Sequence, residues 1–230
     1  MSERFFVEQP IATDEVELAG PEAHHLLHVM RAKAGDTVRL FDNSGCEFQA
    51  RIERLGKQAV RLAIVAREAI ERELAHPIVL GAALPKGERQ KWLIEKLTEL
   101  GVTRLIPLET RRGVAQPSEN AVARLRRGVI EASKQCGRTR LLEIGEPASL
   151  AAFAAAAPAD ALRWIAQPQG EPARPLAGRT APLFAAVGPE GGFTDDEVAA
   201  TIAAGWSAVT LGPRILRVET AAILLAAWAQ

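Results

Sequence analysis

The sequence has only two cysteines, Cys46 and Cys136, far apart and outside any C-x-x-C spacing. That supports neither a zinc site nor a disulfide framework, and the thiols read as buried or idle. Charge interrupts the apolar residues throughout, so no stretch approaches the roughly 18 uninterrupted apolar residues of a membrane span. Met1-Ser2-Glu3-Arg4 does not open a signal peptide, and a soluble, cytoplasmic protein is expected. An excess of one charge is missing too, because 28 Lys and Arg balance 28 Asp and Glu. Phosphate binding draws on excess positive charge, so the net charge does not announce a nucleic-acid partner. Internal repeats, G-x-G-x-x-G and Walker sequences are absent as well, which removes the common phosphate-cradling loops.

What is present is uneven. Between Arg111 and Arg140 eight basic residues face only Glu119 and Glu131, a segment suited either to a polyanion or to a solvated helix face. At 230 residues the chain has room for a small and a medium unit, each with its own core. The first 70 or so residues read as short strands around one helical stretch, Ala23 to Arg31. Thr37 to Phe41 is a strand, Asp42-Asn43-Ser44-Gly45 is a turn, and Phe48, Ala50, Ile52 and then Val60, Leu62, Ile64 alternate with polar residues. This predicts a small β-barrel, with the charged run Arg67 to Glu73 before His76-Pro77 as a linker. Beyond it strands alternate with helices, which predicts an α/β unit with a mostly parallel sheet. Its expected elements are a strand at Ile78 to Ala83, a helix carrying Leu93, Leu97 and Leu100, a strand at Leu105 to Leu108, a helix with Val122, Leu125, Val129 and Ile130, and a helix from Leu150 to Ala157.

Two later loops concentrate the chemistry. Leu183 to Val187 suits a central strand and leads into Gly188-Pro189-Glu190-Gly191-Gly192-Phe193, whose glycines let backbone approach a ligand closely. Thr194 and Glu197 have T-x-x-E capping-box spacing, Asp195 and Asp196 suit a helix N-terminus, and Gly205 ends that helix. Ligands of open α/β sheets sit beyond the carboxyl ends of strands, which makes this loop a candidate site. Glu190 and the acidic first turn would repel phosphate, so the loop suits an uncharged or cationic ligand, or is a structural turn. After a strand at Ala208 to Leu211, the second loop runs from Gly212 through Arg214, Arg217 and Glu219 into an apolar helix ending near Trp228. Those charges either extend the site or form surface ion pairs, which contribute under about 1 kcal/mol each.

GPEGGFT followed by LGPRILRVETA resembles the C-terminal signature of RsmE-type 16S rRNA uridine-N3 methyltransferases, members of the SPOUT superfamily. His24-His25-Leu26, Val29-Met30-Arg31, Leu40-Phe41-Asp42, Lys86-Gly87, Lys96 to Val102, Glu131-Ala132 and Gln135 to Arg138 are similar to the family too, so the resemblance spans nearly the whole chain. Asn43 and Cys46 stand where glycines are expected in the N-terminal hairpin. The resemblance implies a PUA-like RNA-binding β-barrel over 1–72 and an α/β SPOUT domain over 73–230 with a deep C-terminal trefoil knot. It implies S-adenosyl-L-methionine (SAM) as methyl donor, no metal, 16S rRNA in the 30S subunit as substrate, and a homodimer joined through the knotted domain.

Resemblance and the chemistry of uracil together give expected roles. Methyl transfer is an in-line displacement, so alignment and exclusion of water dominate. Uracil N3 becomes nucleophilic only when its proton leaves, and the charge then spreads onto O2 and O4, so a base and a cation both help. Gly188, Gly192, Leu211, Gly212, Ile215 and Leu216 are expected to hold SAM, joined by Gln167 after a strand ending at Ala166. Arg217 is expected to steady the uracil anion. Glu190 and Glu219 compete as proton acceptor, with Glu219 alternatively orienting Arg217 and solvent as a third acceptor. His24 and His28 have i,i+4 spacing able to bind metal, yet no accompanying glutamate motif. His24, His25, Arg31, Arg111, Arg112, Arg138 and Arg214 are instead expected at RNA. The competing readings are a SPOUT enzyme with another RNA target, a non-catalytic ribosome assembly factor, and a conventional Rossmann methyltransferase, whose glycines would come earlier in the α/β domain.

Overall fold

The computed structural model describes residues 4–113, 119–176, 178 and 180–230. Met1-Ser2-Glu3 and the side chain of Glu119, both weighed above, lie outside the described residues. Two compact units form, Met1–Glu73 with Ser133–Leu141, and Leu74–Ala132 with Leu142–Gln230.

The first unit is a five-stranded sheet of β1 (Arg4–Phe6), β2 (Glu15–Ala19), β3 (Thr37–Phe41), β4 (Cys46–Leu55) and β5 (Ala59–Ala69), in the order β1-β3-β4-β5-β2. β1 runs parallel to β3 and the other pairs are antiparallel. The alternating Phe48, Ala50, Ile52, Val60 and Leu62 point into one core with Phe5, Leu26 and Leu40. In the β3–β4 turn the Asp42 carboxylate accepts from Ser44 N (3.1 Å) and Ser44 Oγ (2.5 Å), while Asn43 takes φ 70°. Asparagine tolerates this left-handed conformation, so it does the work expected of glycine there. Cys46 simply begins β4. The helical stretch starts earlier than expected, as α1 (Gly20–His24), and widens over His25–Val29 into a π-helical turn in which Met30 N donates to His25 O at 3.1 Å. The expected linker is corrected at its start. β5 runs through Ala69 because the Arg67 guanidinium lies 5.0 Å over the Phe48 ring and donates to Ile11 O at 3.0 Å.

Ser133–Leu141 packs in this unit through a buried arginine. Arg4 pairs with Glu47 at 2.8 Å, donates to Ser133 O (2.6 Å) and Arg138 O (3.0 Å), and lies 4.6 Å over the Phe41 ring. Burial lowers the pKa of Arg4, with Glu47 opposing that shift. Arg138 corrects an expectation: it is only 4% exposed, and its guanidinium grips Glu73 at 2.5 and 3.1 Å, which removes it from an RNA-facing surface. A charge count does not separate such a structural pair from a solvated one.

The second unit holds β6 (Ile78–Ala82), α2 (Glu88–Glu99), β7 (Arg104–Glu109), most of α3 (Glu119–Cys136), β8 (Glu143–Ile144), β9 (Ala148–Ser149), α4 (Leu150–Ala155), β10 (Leu162–Pro172), β11 (Leu183–Val187), α5 (Asp195–Ala203), β12 (Ser207–Thr210) and α6 (Val218–Trp228). The strands are all parallel, in the order β12-β10-β11-β6-β7-β8, with β9 also paired to β7. This is the α/β sheet the alternating pattern predicts. β10 does not end at Ala166: it continues to Pro172, with its register against β12 shifting between Ala166 and Glu171. The crossing is tight enough to require glycine, since a Cβ on Gly170 would lie 2.5 Å from Val209 N. Phe153, Ile165, Phe193 and Trp206 pack one core of this unit.

Candidate functional site

Three segments at the carboxyl ends of adjacent parallel strands make a cleft of about 320 Å³. The first follows β11. Gly192 takes φ 68° with open space where a Cβ would project, and its N–H donates to Pro189 O at 2.8 Å. Phe193, buried in the core, anchors the loop from below. Thr194 and Glu197 close the expected capping box, with Thr194 N donating to Glu197 Oε2 at 2.7 Å and Glu197 N donating to Thr194 Oγ1 at 3.3 Å. Glu197 Oε1 also accepts from Arg111 N at 3.1 Å, which ties the post-β7 loop to α5. Burial works to raise the Glu197 pKa, but hydrogen bonds from Thr194 and Arg111 outweigh it and the net shift is downward.

The second segment follows β12. Gly212 takes φ 121°, again with open space beside it, and Thr210 Oγ1 donates to Gly212 O at 3.1 Å. Leu211, Arg214, Ile215 and Leu216 turn towards the cleft, and Ile215 remains 86% exposed. The third segment is the outer half of β10, from which Gln167 and Gln169 line the cleft.

Of the expected ligand-holding residues, Gln167, Gly188, Gly192, Leu211, Ile215 and Leu216 line this cleft, with Glu190, Arg112 and Arg214 beside them. Gly212, Arg217 and Glu219 lie outside the lining. Gly212 shapes the loop; Arg217 is exposed at the N-cap of α6, and its side chain caps no backbone group. Glu219 is 4% exposed, and its Oε2 has no hydrogen-bond partner. Its neighbouring cation is not Arg217 but Arg89, whose Nη1 stands 3.8 Å from Glu219 Oε1 and 3.4 Å from Glu190 Oε1. Local sequence gives Arg89 no role, although it sits on the loop-to-helix junction after β6, the strand beside β11. The strand-end rule would have flagged it.

The basic residues divide by their partners. Arg112 Nη1 donates to Gly191 O (2.9 Å) and Phe193 O (3.4 Å), so it clamps the glycine loop. Arg111 pairs with Asp196 at 3.2 Å on the surface. His25 is half-buried with its ring edge-on to Phe5, whereas His24 and Arg31 are exposed. The rings of His24 and His28 lie 4.7 Å apart at 50° to each other, and no group of three or more potential metal-ligating side chains gathers among the described residues. No helix among them is long and apolar enough to cross a membrane.

The walls of the cleft carry Val187, Leu211, Ile215 and Leu216, Gln167 and Gln169 supply two amides, Gly192 takes a positive φ at its edge, and its charges are mixed, Glu190 and Asp195 against Arg112 and Arg214. An α/β unit with a cleft at its strand ends, following a small β-rich unit, defines a two-unit protein with a small-molecule site in its second unit. Residues 72–230 match the family model described as an RNA methyltransferase domain, and residues 18–65 match an RNA methyltransferase PUA domain. The ribosomal RNA small subunit methyltransferase E of Synechocystis sp. is 34% identical over 90% of this chain and 69% of its own length. That of Bacillus subtilis is 26% identical over 95% and 92%. Among solved structures, the Neisseria gonorrhoeae ribosomal RNA small subunit methyltransferase E bound to SAM matches with TM-score 0.89 and 28% identity over 99% of this chain and 96% of that one. A Legionella pneumophila protein solved with SAM bound gives TM-score 0.89 and 31% identity over 98% and 96%. The chain belongs to the ribosomal RNA small subunit methyltransferase E family.

Proposed function

We propose that this chain is a SAM-dependent methyltransferase that modifies N3 of one uridine in 16S rRNA. The observation that carries this reading is the cleft at the strand ends, where the positive-φ backbone of Gly192 and the carboxylates of Glu190 and Asp195 face an apolar wall. SAM, when bound, supplies an activated methyl carbon on a positively charged sulfur. Gly188, Gly192, Leu211, Ile215, Leu216 and Gln167 hold it, while Gly212 sets the path of the second loop. Arg217, exposed and without an ion pair among the described residues, steadies the charge that develops on the uracil oxygens. Glu190 or Glu219 takes the N3 proton.

Each unit has its own part in RNA binding. In the first, His24, His25 and Arg31 meet the RNA, and in the second Arg111, Arg112 and Arg214 do so; phosphate contacts of this kind position the substrate and base contacts select it. The functional boundary falls between residues 72 and 73, the preceding piece acting as the PUA-like RNA-binding module. The α/β part is a SPOUT domain with a C-terminal trefoil knot, and the enzyme works as a cytoplasmic homodimer on the 30S subunit.

Incubation with methyl-labelled SAM and small subunits lacking native modification tests the reading. Label retained in the 16S rRNA supports it. Tight SAM binding with no label on subunits, free 16S rRNA or any other RNA would instead favour a non-catalytic assembly factor.

A further inference from the structure

Arg89 occupies a position that the methyl-transfer reading leaves unused. It stands in the first turn of α2, and its side chain is half-buried. One nitrogen, Nη1, faces Glu190 Oε1 at 3.4 Å and Glu219 Oε1 at 3.8 Å, and among the described residues no other cation lies within 4.0 Å of either carboxylate. The two glutamates differ. Glu190 is about half exposed and lines the cleft, whereas Glu219 is buried and does not line it. A buried carboxylate with one oxygen unpartnered is costly unless a cation stands beside it. Glu219 therefore fixes where Arg89 points, and Arg89 in turn has one exposed acceptor within reach, Glu190.

We propose that Arg89 is a positioning residue which, backed by buried Glu219, holds Glu190 over the cleft to receive the N3 proton of the target base. The inference rests on the methyl-transfer reading and sharpens it, because it separates two carboxylates that chemistry alone leaves equivalent. In this step the N3–H bond breaks, its electron pair stays on the ring, and the proton passes to a Glu190 oxygen; the N3–carbon bond then forms at the SAM methyl group as the carbon–sulfur bond breaks. Glu219 takes no proton and Arg89 touches no substrate.

A double-mutant cycle on turnover tests this, using the full chain, SAM and unmethylated small subunits. Glu190→Gln and Arg89→Ala are each expected to lower kcat about tenfold or more, with KM for subunits held within about twofold. Arg89→Ala combined with Glu190→Gln should be no slower than Glu190→Gln alone, since Arg89 acts through that carboxylate. Arg89→Lys should restore most of the loss, and calorimetry should give SAM affinities within about twofold of wild type for both Arg89 variants. Additive losses in the double variant, an unchanged kcat for Arg89→Ala, or a loss traced to SAM affinity would overturn the positioning role. An unimpaired Glu190→Gln overturns the choice of acceptor. Absence of transfer by the wild type overturns the methyl-transfer reading and this inference with it.

Discussion

The Arg112 guanidinium donates to the carbonyl of Gly191 at 2.9 Å, so a side chain on the loop after β7 fixes the glycine loop after β11. Removing it frees the loop without opening the core, because Arg112 is exposed. A net hydrogen bond of this kind contributes about 1 kcal/mol, so Arg112→Ala should weaken SAM binding about fivefold. Calorimetry checks this, with an unchanged melting temperature as control.

Gly212 adopts φ 121°, a conformation open to glycine and strained for any side chain. Gly212→Val should cost about 2 kcal/mol in the loop and lower SAM affinity at least about tenfold. Thermal melting without ligand should change little, as the loop lies outside the buried core. Equal losses of melting temperature and SAM affinity would show that the loop supports the fold and not the cleft alone.

Arg4 neutralises buried Glu47 and holds the carbonyls of Ser133, in the last turn of α3, and of Arg138 beyond it. Arg4→Ala should destabilise the protein by about 3 kcal/mol, the scale for breaking a buried pair. Arg39 also reaches Glu47, at 2.7 Å, and should keep the loss from exceeding that scale. Chemical denaturation measures the loss directly.

Glu197 has its pKa depressed when folded, so its contribution to stability is complete above the unfolded-state value and disappears as pH falls through the folded one. Glu197→Gln removes that contribution. The stability difference between wild type and variant should be about 0.5 kcal/mol at neutral pH, the scale of a carboxylate charge at a helix N-terminus, and should shrink below about pH 4. Denaturation curves at several pH values test the sign: a difference that grows on acidification contradicts it.

Local signals were the legible ones. Thr194 and Glu197 declare a helix start three residues apart, and Leu183 to Val187 is a strand bounded by glycine and proline, so both are readable without tertiary context. The position of the glycine loop at the end of that strand follows from the same strand-to-helix logic. β10 runs past Ala166 through Pro168, Gly170 and Pro172, residues uncommon inside strands, because its outer part pairs with β12 where only glycine fits. Arg89 escaped notice because its partners are 101 and 130 residues away in sequence. Arg138 was misplaced for a related reason, since Glu73, 65 residues away, turns a surface charge into a buried pair.

The most direct test of the account is digestion of the labelled 16S rRNA and identification of the modified nucleoside by mass spectrometry. The account predicts N3-methyluridine at a single position, formed more slowly when Gly212→Val strains the second loop. Label on another nucleoside, or on ribose, would contradict the assignment of uracil N3 as the acceptor.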